Sequence, residues 1–220
     1  MLMGPNEPTA LGRNHFTPAK YFDANVRGGI LRSKAGARMI TLNEDFVIGL
    51  HRALEDETGA AAPAVLYTVG KWWGERFVKQ HELELRQLYQ NEIGELPLGI
   101  WEVVLRRVWA LYGWGRIEMS FALQDRGFVE VVVASPFYSD AVGQLGRTTD
   151  HLLAGAIASI VRHLAGRDLE ACEVACKSKG DADCRFLVGL KSRVNIIEAW
   201  VKQGRSRDDI VGAIQSGELA

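Results

Sequence analysis

All three cysteines of the chain, Cys172, Cys176 and Cys184, fall in the stretch DLEACEVACKSKGDADCRFLVG between Asp168 and Gly189. Glu173 stands three residues before Cys176, and Cys184 follows eight residues after it. One carboxylate and two thiolates are three ligands suited to a borderline-soft cation such as zinc. Leu169–Cys176 and Cys184–Leu190 are β-like, and the turn KSKGDAD between them carries Gly180 and two Asp. A hairpin that brings Glu173, Cys176 and Cys184 to one end of a sheet is therefore expected. The same residues also admit a plainer reading, because buried cysteine often serves as a small apolar filler. In a regular strand Cys172 and Cys176 share one face and Glu173 takes the other, unless a bulge intervenes. Neither a CxxC pair nor an HExxH accompanies them, so spacing alone leaves both readings open.

The pattern E-x2-C-x7-C followed by R-F-x-V-G resembles the C-terminal signature of the 4-vinyl reductase domain family, mainly over Ser135–Leu190. That family includes phenol-sensing domains of bacterial transcription activators and accessory proteins of bacteriochlorophyll synthesis, and is related in fold to a Golgi vesicle-tethering subunit. The resemblance implies that Glu173, Cys176 and Cys184 bind a structural zinc ion that pins the last hairpin to the preceding helix. The family's upstream Cys falls on Asp150, with His151 beside it. An Asp oxygen or a His nitrogen can serve zinc equally well. Cys172 lies outside the motif. The resemblance further implies an α+β fold, frequent dimerisation, and a tetrapyrrole or other aromatic ligand.

The elements that must position these residues follow from the periodicity. Residues 1–18 are polar and punctuated by Gly and Pro, as in a loose arm. Tyr21–Ile30 is ambiguous, and Ala37–Thr41 suits a short strand. Asn43 caps a helix over Glu44–Glu57, whose apolar side carries Phe46, Val47, Leu50 and Leu54. Longer helices are expected over Ala64–Tyr89 and Leu98–Tyr112. Gly70 and Gly74, one turn apart, allow another backbone or a flat ligand to approach closely. Arg116–Gln124 alternates apolar with polar residues, and Asp125-Arg126-Gly127 turns it into Phe128–Ala134 as a hairpin. A helix over Thr149–Leu164 precedes the cysteine hairpin, and helices over Val194–Lys202 and Arg207–Gln215 follow it. Helices grouped around late hairpins indicate α+β with an antiparallel sheet covered by helices. The chain divides into the arm, a domain over residues 19–190, and a helical tail over 191–220 that docks on the body or on a second subunit.

Trp72, Trp73 and Phe77 on one long helix, and Trp101, Val104, Val108 and Trp109 on the other, are the expected wall of an elongated apolar pocket. Arg106 or Arg107 would meet a ligand carboxylate. Adjacent Trp72 and Trp73 differ by about 100° around the axis, so one would face the core and one the cavity. The competing reading fills the core with the same aromatics and makes the chain a non-enzymatic adaptor working through its surface. His51, His81, His151 and His163 are scattered on helical patterns and suggest no catalytic set.

The composition bounds the alternatives. A net charge of −1 over 220 residues offers no electrostatic case for nucleic acid. No apolar run reaches the length of a membrane span, and no signal peptide is visible. Three cysteines without a disulfide framework fit a reducing, cytoplasmic setting. No nicotinamide, flavin, nucleotide or iron–sulfur motif is present, so a true reductase ranks behind ligand binding and adaptor roles. A sensor of this kind would signal through a separate protein partner. Near-zero net charge, the arm and the tail together suggest a homodimer.

Overall fold

The computed structural model describes residues 16–89 and 98–219. Its first elements are α1 (Pro18–Tyr21), β1 (Phe22–Asn25), β2 (Ile30–Ser33), β3 (Arg38–Met39), α2 (Glu44–Thr58), α3 (Ala62–Tyr89) and α4 (Leu98–Leu111). They are followed by β4 (Arg116–Ser120), β5 (Val129–Ala134), α5 (Phe137–Val142), α6 (His151–Ala165), β6 (Glu170–Ala175), β7 (Cys184–Gly189), α7 (Lys191–Lys202) and α8 (Arg207–Ser216). The fold is α+β with antiparallel sheets. The chain forms two compact units, one from residues up to Thr41 with Lys79–Gly113, the other from Leu42–Val78 with Trp114–Ala220. Among the described residues no helix is long and apolar enough to cross a membrane.

In the first unit the ambiguous Tyr21–Ile30 segment resolves into the β1–β2 hairpin, and β3 adds a third antiparallel strand. Only Arg38–Met39 of the strand expected over Ala37–Thr41 pairs. Residues 1–15 of the expected arm lie outside the described residues, but Phe16 and Tyr21 at its end are buried. The Tyr21 hydroxyl donates to both oxygens of the buried Glu84 carboxylate, at 3.0 and 2.9 Å.

The second unit is built on a four-stranded antiparallel sheet in the order β4-β5-β7-β6. On one face Cys172, Val174 and Leu187 join Leu123 and Phe128 in a cluster with Val194, Ile197 and Trp200 of α7 and with Ile210 and Ile214 of α8. The tail helices thus cover the sheet of their own chain, which removes them as the motive for a second subunit. Helix α6 packs on the other face, against β6 and β7. The strand expected to run to Gln124 stops at Ser120, because Gln124–Arg126 forms a single 3-10 turn closed by Gly127 at φ +72°. That turn lets Leu123 point into the cluster beneath α7 and α8 instead of continuing the alternation.

Two helix contacts fix the position of α6 and of the elements around it. Gly70 and Gly74 of α3 face Gly155 of α6 so closely that a Cβ at Gly155 would sit 2.0 Å from the Tyr67 carbonyl oxygen. A Cβ at Gly70 would meet the Leu152 carbonyl oxygen at the same distance, 2.0 Å. Backbone, not ligand, occupies the approach that the two glycines provide, and the Ser159 hydroxyl seals it by donating to the Lys71 carbonyl. Helix α2 is capped by Asn43 as expected, but it buries Val47 and His51, not Phe46 and Leu50. The side that meets α5 is chosen by Tyr138, which hydrogen-bonds His51 Nδ1 at 3.0 Å and packs with Val47 and Leu66.

Candidate metal centre and aromatic clusters

The β6–β7 hairpin is irregular where its chemistry lies. Glu173 pairs with Phe186, but Ala175 pairs with Arg185, so the register shifts by one residue across Val174. A bulge of this kind reverses the alternation beyond it. Cys172 stays on the face beneath α7, while Glu173 and Cys176 come to the same side as Cys184 and the start of α6. The chain then makes one 3-10 turn, Lys177–Lys179, ended by Gly180 at φ +110°, a conformation that favours glycine. The Cys176 amide donates to Asp181 Oδ2 at 2.8 Å, which locks the turn.

Asp150, Glu173, Cys176 and Cys184 each present a donor atom, and these four atoms all lie within 4.8 Å of one another. All four side chains are buried. The Cys184 thiol donates to Asp150 Oδ2 at 2.9 Å, and the Asp150 amide donates to Glu173 Oε2 at 3.0 Å. Around them, Lys177 N–H donates to Cys184 Sγ, Ser139 Oγ lies 3.4 Å from the same sulfur, and Thr149 Oγ1 lies 3.7 Å from Cys176 Sγ. The remaining oxygens, Asp150 Oδ1 and Glu173 Oε1, are buried without a hydrogen-bond partner. Two orphaned carboxylate oxygens beside two sulfurs are an arrangement that costs free energy as it stands and that a cation would satisfy.

The electrostatics agree. Burial pushes the Asp150 carboxyl up to about 7 and Glu173 well above the usual carboxylate range. The hydrogen bond with Cys184 draws the Cys176 thiol down to about 5, and the same bond pushes the Cys184 thiol far up. Four acids held this closely keep protons unless positive charge replaces them. The buried Asp/Glu/Cys set can hold a metal ion. His151, the neighbouring alternative to Asp150, is outside the set among the described residues. The supporting Ser139, Thr149, Ser178 and Asp181 were not singled out by the sequence; only Asp181 carried a signal, as a turn residue.

The aromatic residues fall into two groups. In the second unit, Trp73 stacks on Trp114 with ring centroids 3.8 Å apart and on Phe77 at 4.8 Å, and Phe137 of α5 lies 4.8 Å from Trp114. Trp72 faces neither core nor cavity: it is 68% exposed, because the side of α3 that meets α6 is the one carrying Gly70 and Gly74. In the first unit, Trp101, Val104, Val108 and Trp109 are buried, while Arg106 is exposed and pairs with Glu102 one turn away at 3.3 Å. The sequence missed the polar group of this unit, Tyr21, Glu84 and Tyr112. Tyr112 Oη lies 3.4 Å from the Tyr21 hydroxyl, and Gln80 Nε2 donates to Glu84. Burial raises the Glu84 carboxyl above its ordinary range. Two surface grooves lie elsewhere. One of about 400 Å³ is lined by Leu123, Glu130, Arg207 and Val211, and one of about 180 Å³ by Tyr67, Glu170, Asn195 and Glu198.

Residues 129–190 match the family model of the 4-vinyl reductase domain. The match runs from β5 to just past β7 and contains all four residues of the buried cluster. Among curated proteins no sequence matches the chain. Among solved structures, the fold is similar to that of the phenol-responsive sensory domain of the transcription activator PoxR with phenol. The identity is 16% and the TM-score 0.60, over 78% of this chain and 86% of that one. A vinyl-4-reductase family protein from Methanocaldococcus jannaschii matches at 15% identity and a TM-score of 0.45, over 68% of this chain and 82% of that one. A trafficking protein particle complex subunit 3 from Naegleria fowleri, covalently bound to palmitic acid, matches at 16% and 0.47, over 67% and 94%.

Proposed function

We propose that the chain, whose residues 129–190 match the 4-vinyl reductase domain, is a small-molecule-binding sensory or accessory module stabilised by a structural zinc ion. The observation that carries the reading is the closed, buried set of Asp150, Glu173, Cys176 and Cys184 inside the matched segment. Four protein donors fill a tetrahedral shell and leave no position for substrate, so the ion pins the hairpin to α6 and does not catalyse. The three free cysteines are all buried, which fits a reducing, cytoplasmic compartment.

The ligand of this module is a flat aromatic molecule, the class suggested by the fold shared with a phenol-responsive domain. The first unit supplies the chemistry for it. Trp101 and Trp109 offer apolar faces, and Glu84 with Tyr21 and Tyr112 offers a hydroxyl partner in a place shielded from water. A tetrapyrrole is the larger member of the same class. Titration of the purified chain with phenol, haem and a chlorophyll precursor, followed by tryptophan fluorescence, is expected to give saturable quenching by at least one of them. If phenol is the ligand, Glu84→Gln is expected to weaken it by about tenfold, the scale of one hydrogen bond to a charged group. Absence of saturable binding by all three overturns the ligand reading and favours an adaptor with a filled core.

Self-association into a homodimer completes the proposal, since a net charge of −1 sets up no long-range repulsion between copies. Sedimentation at tens of micromolar, on the order of concentrations where ordinary dimers persist, is expected to give the dimer mass. A monomer there contradicts it.

A further inference from the structure

We propose that the outer face of α2 is a docking surface for a basic amphipathic helix of a protein partner. The inference needs neither the metal nor the ligand. Helix α2 touches its own unit through Val47, His51 and Leu54. On the other side Phe46, Gly49, Leu50 and Ala53 are all exposed, at the i, i+3, i+4, i+7 spacing of an apolar stripe. Phe46 is 50% and Leu50 37% exposed. Such a stripe normally faces a core, and here the core is on the opposite side of the helix. Gly49 has nothing within 4 Å of where a Cβ would stand, so a partner backbone can approach closely at the middle of the stripe.

Charge identifies the occupant. Glu44 and Asp45 at one end of the stripe and Asp56 and Glu57 at the other are exposed, against Arg52 as the helix's exposed cation. Glu55 is already paired with Arg147 and adds nothing to the count. A second copy of α2, in either direction, would set acidic ends against acidic ends, which opposes association. A helix with an apolar stripe and Lys or Arg at both ends matches both features, the helix-on-helix mode of recognition with anchors one turn apart.

The test uses the full chain and a fluorescent synthetic peptide of Leu and Lys in amphipathic order, about 18 residues long so that it can form a helix. Anisotropy is expected to report saturable binding. Phe46→Ala/Leu50→Ala and, separately, Asp56→Lys/Glu57→Lys are each expected to weaken it by about tenfold, the effect of losing interface anchors. All four positions are exposed, so both variants should keep the parent's melting temperature and metal content. A peptide of the same composition in scrambled order is the control. Equal binding of the scrambled peptide, or binding unchanged in either variant, overturns the proposal. So does a parent that ignores the peptide while Phe46→Ala/Leu50→Ala abolishes its self-association, since the face would then belong to a second copy.

Discussion

Cys184→Ser is expected to strip the chain of its metal and to lower its melting temperature by about 10 °C, the product of the two magnitudes that follow. The reasoning starts from burial. Cys184 is completely shielded, and its sulfur stands beside Asp150 Oδ2, Ser139 Oγ and the Lys177 amide. A hydroxyl there is a poor zinc ligand, and the three remaining donors would no longer close a tetrahedral shell. Once the ion leaves, Asp150 and Glu173 must be buried with unsatisfied oxygens or protonated. Removing one partner of a buried charged group costs about 3–5 kcal/mol. Each kcal/mol lowers the melting temperature by about 2–4 °C in a chain of this size. Cys172→Ser is the matched control, because Cys172 lies under α7 on the far side of the sheet. It is expected to keep the metal and to lose about 1 kcal/mol from burying a hydroxyl. Thermal scans with metal analysis on the two variants check both statements. Equal metal loss in both would show that the ligand set has been drawn wrongly.

Gly155→Val should be the most damaging substitution outside the metal set. Its Cβ would stand 2.0 Å from the Tyr67 carbonyl oxygen and 2.8 Å from the Lys71 nitrogen, both backbone atoms that cannot rotate aside. Helices α3 and α6 would have to separate, breaking the contact at Gly70 and Gly74 and the hydrogen bond from Ser159 to Lys71. Overpacking a core costs about 1–3 kcal/mol when side chains can adjust; with backbone on the other side, about 4 kcal/mol or more is expected. Asp150 precedes α6 directly, so the same displacement would loosen the metal set. Gly212→Ala is the contrast: it sits within α8 with nothing within 4 Å of the new Cβ. Relief of the helical glycine penalty there is worth about 0.5–1 kcal/mol of added stability. Denaturant unfolding of the two variants measures the difference. Equal stability for Gly155→Val and the parent would refute the close crossing.

The metal set was legible because its residue types are rare and their spacing is short. Glu173, Cys176 and Cys184 lie on one hairpin, so a turn suffices to gather them, and the bulge at Val174 supplies the reversal that regular alternation forbids. Asp150 came only through resemblance, since nothing in periodicity ties the residue before α6 to a strand on the far side of that helix. The α2 stripe was misread for a different reason. Apolar residues lie on both sides of this helix, and the buried side is selected by Tyr138, a residue far along the chain that also accommodates the polar His51. Trp72 was misplaced in the same way: glycines, not the indole, mark the side of α3 that packs. Glu84 and Tyr21 carry no local signature, because their partnership spans 63 positions and exists only once the chain folds.

Metal analysis of the full chain, purified without chelator, tests the central claim most directly. The account predicts one zinc per chain, retained by Cys172→Ser and lost from Cys176→Ser, Cys184→Ser and Glu173→Gln. Protein that is folded and carries no stoichiometric metal would contradict it.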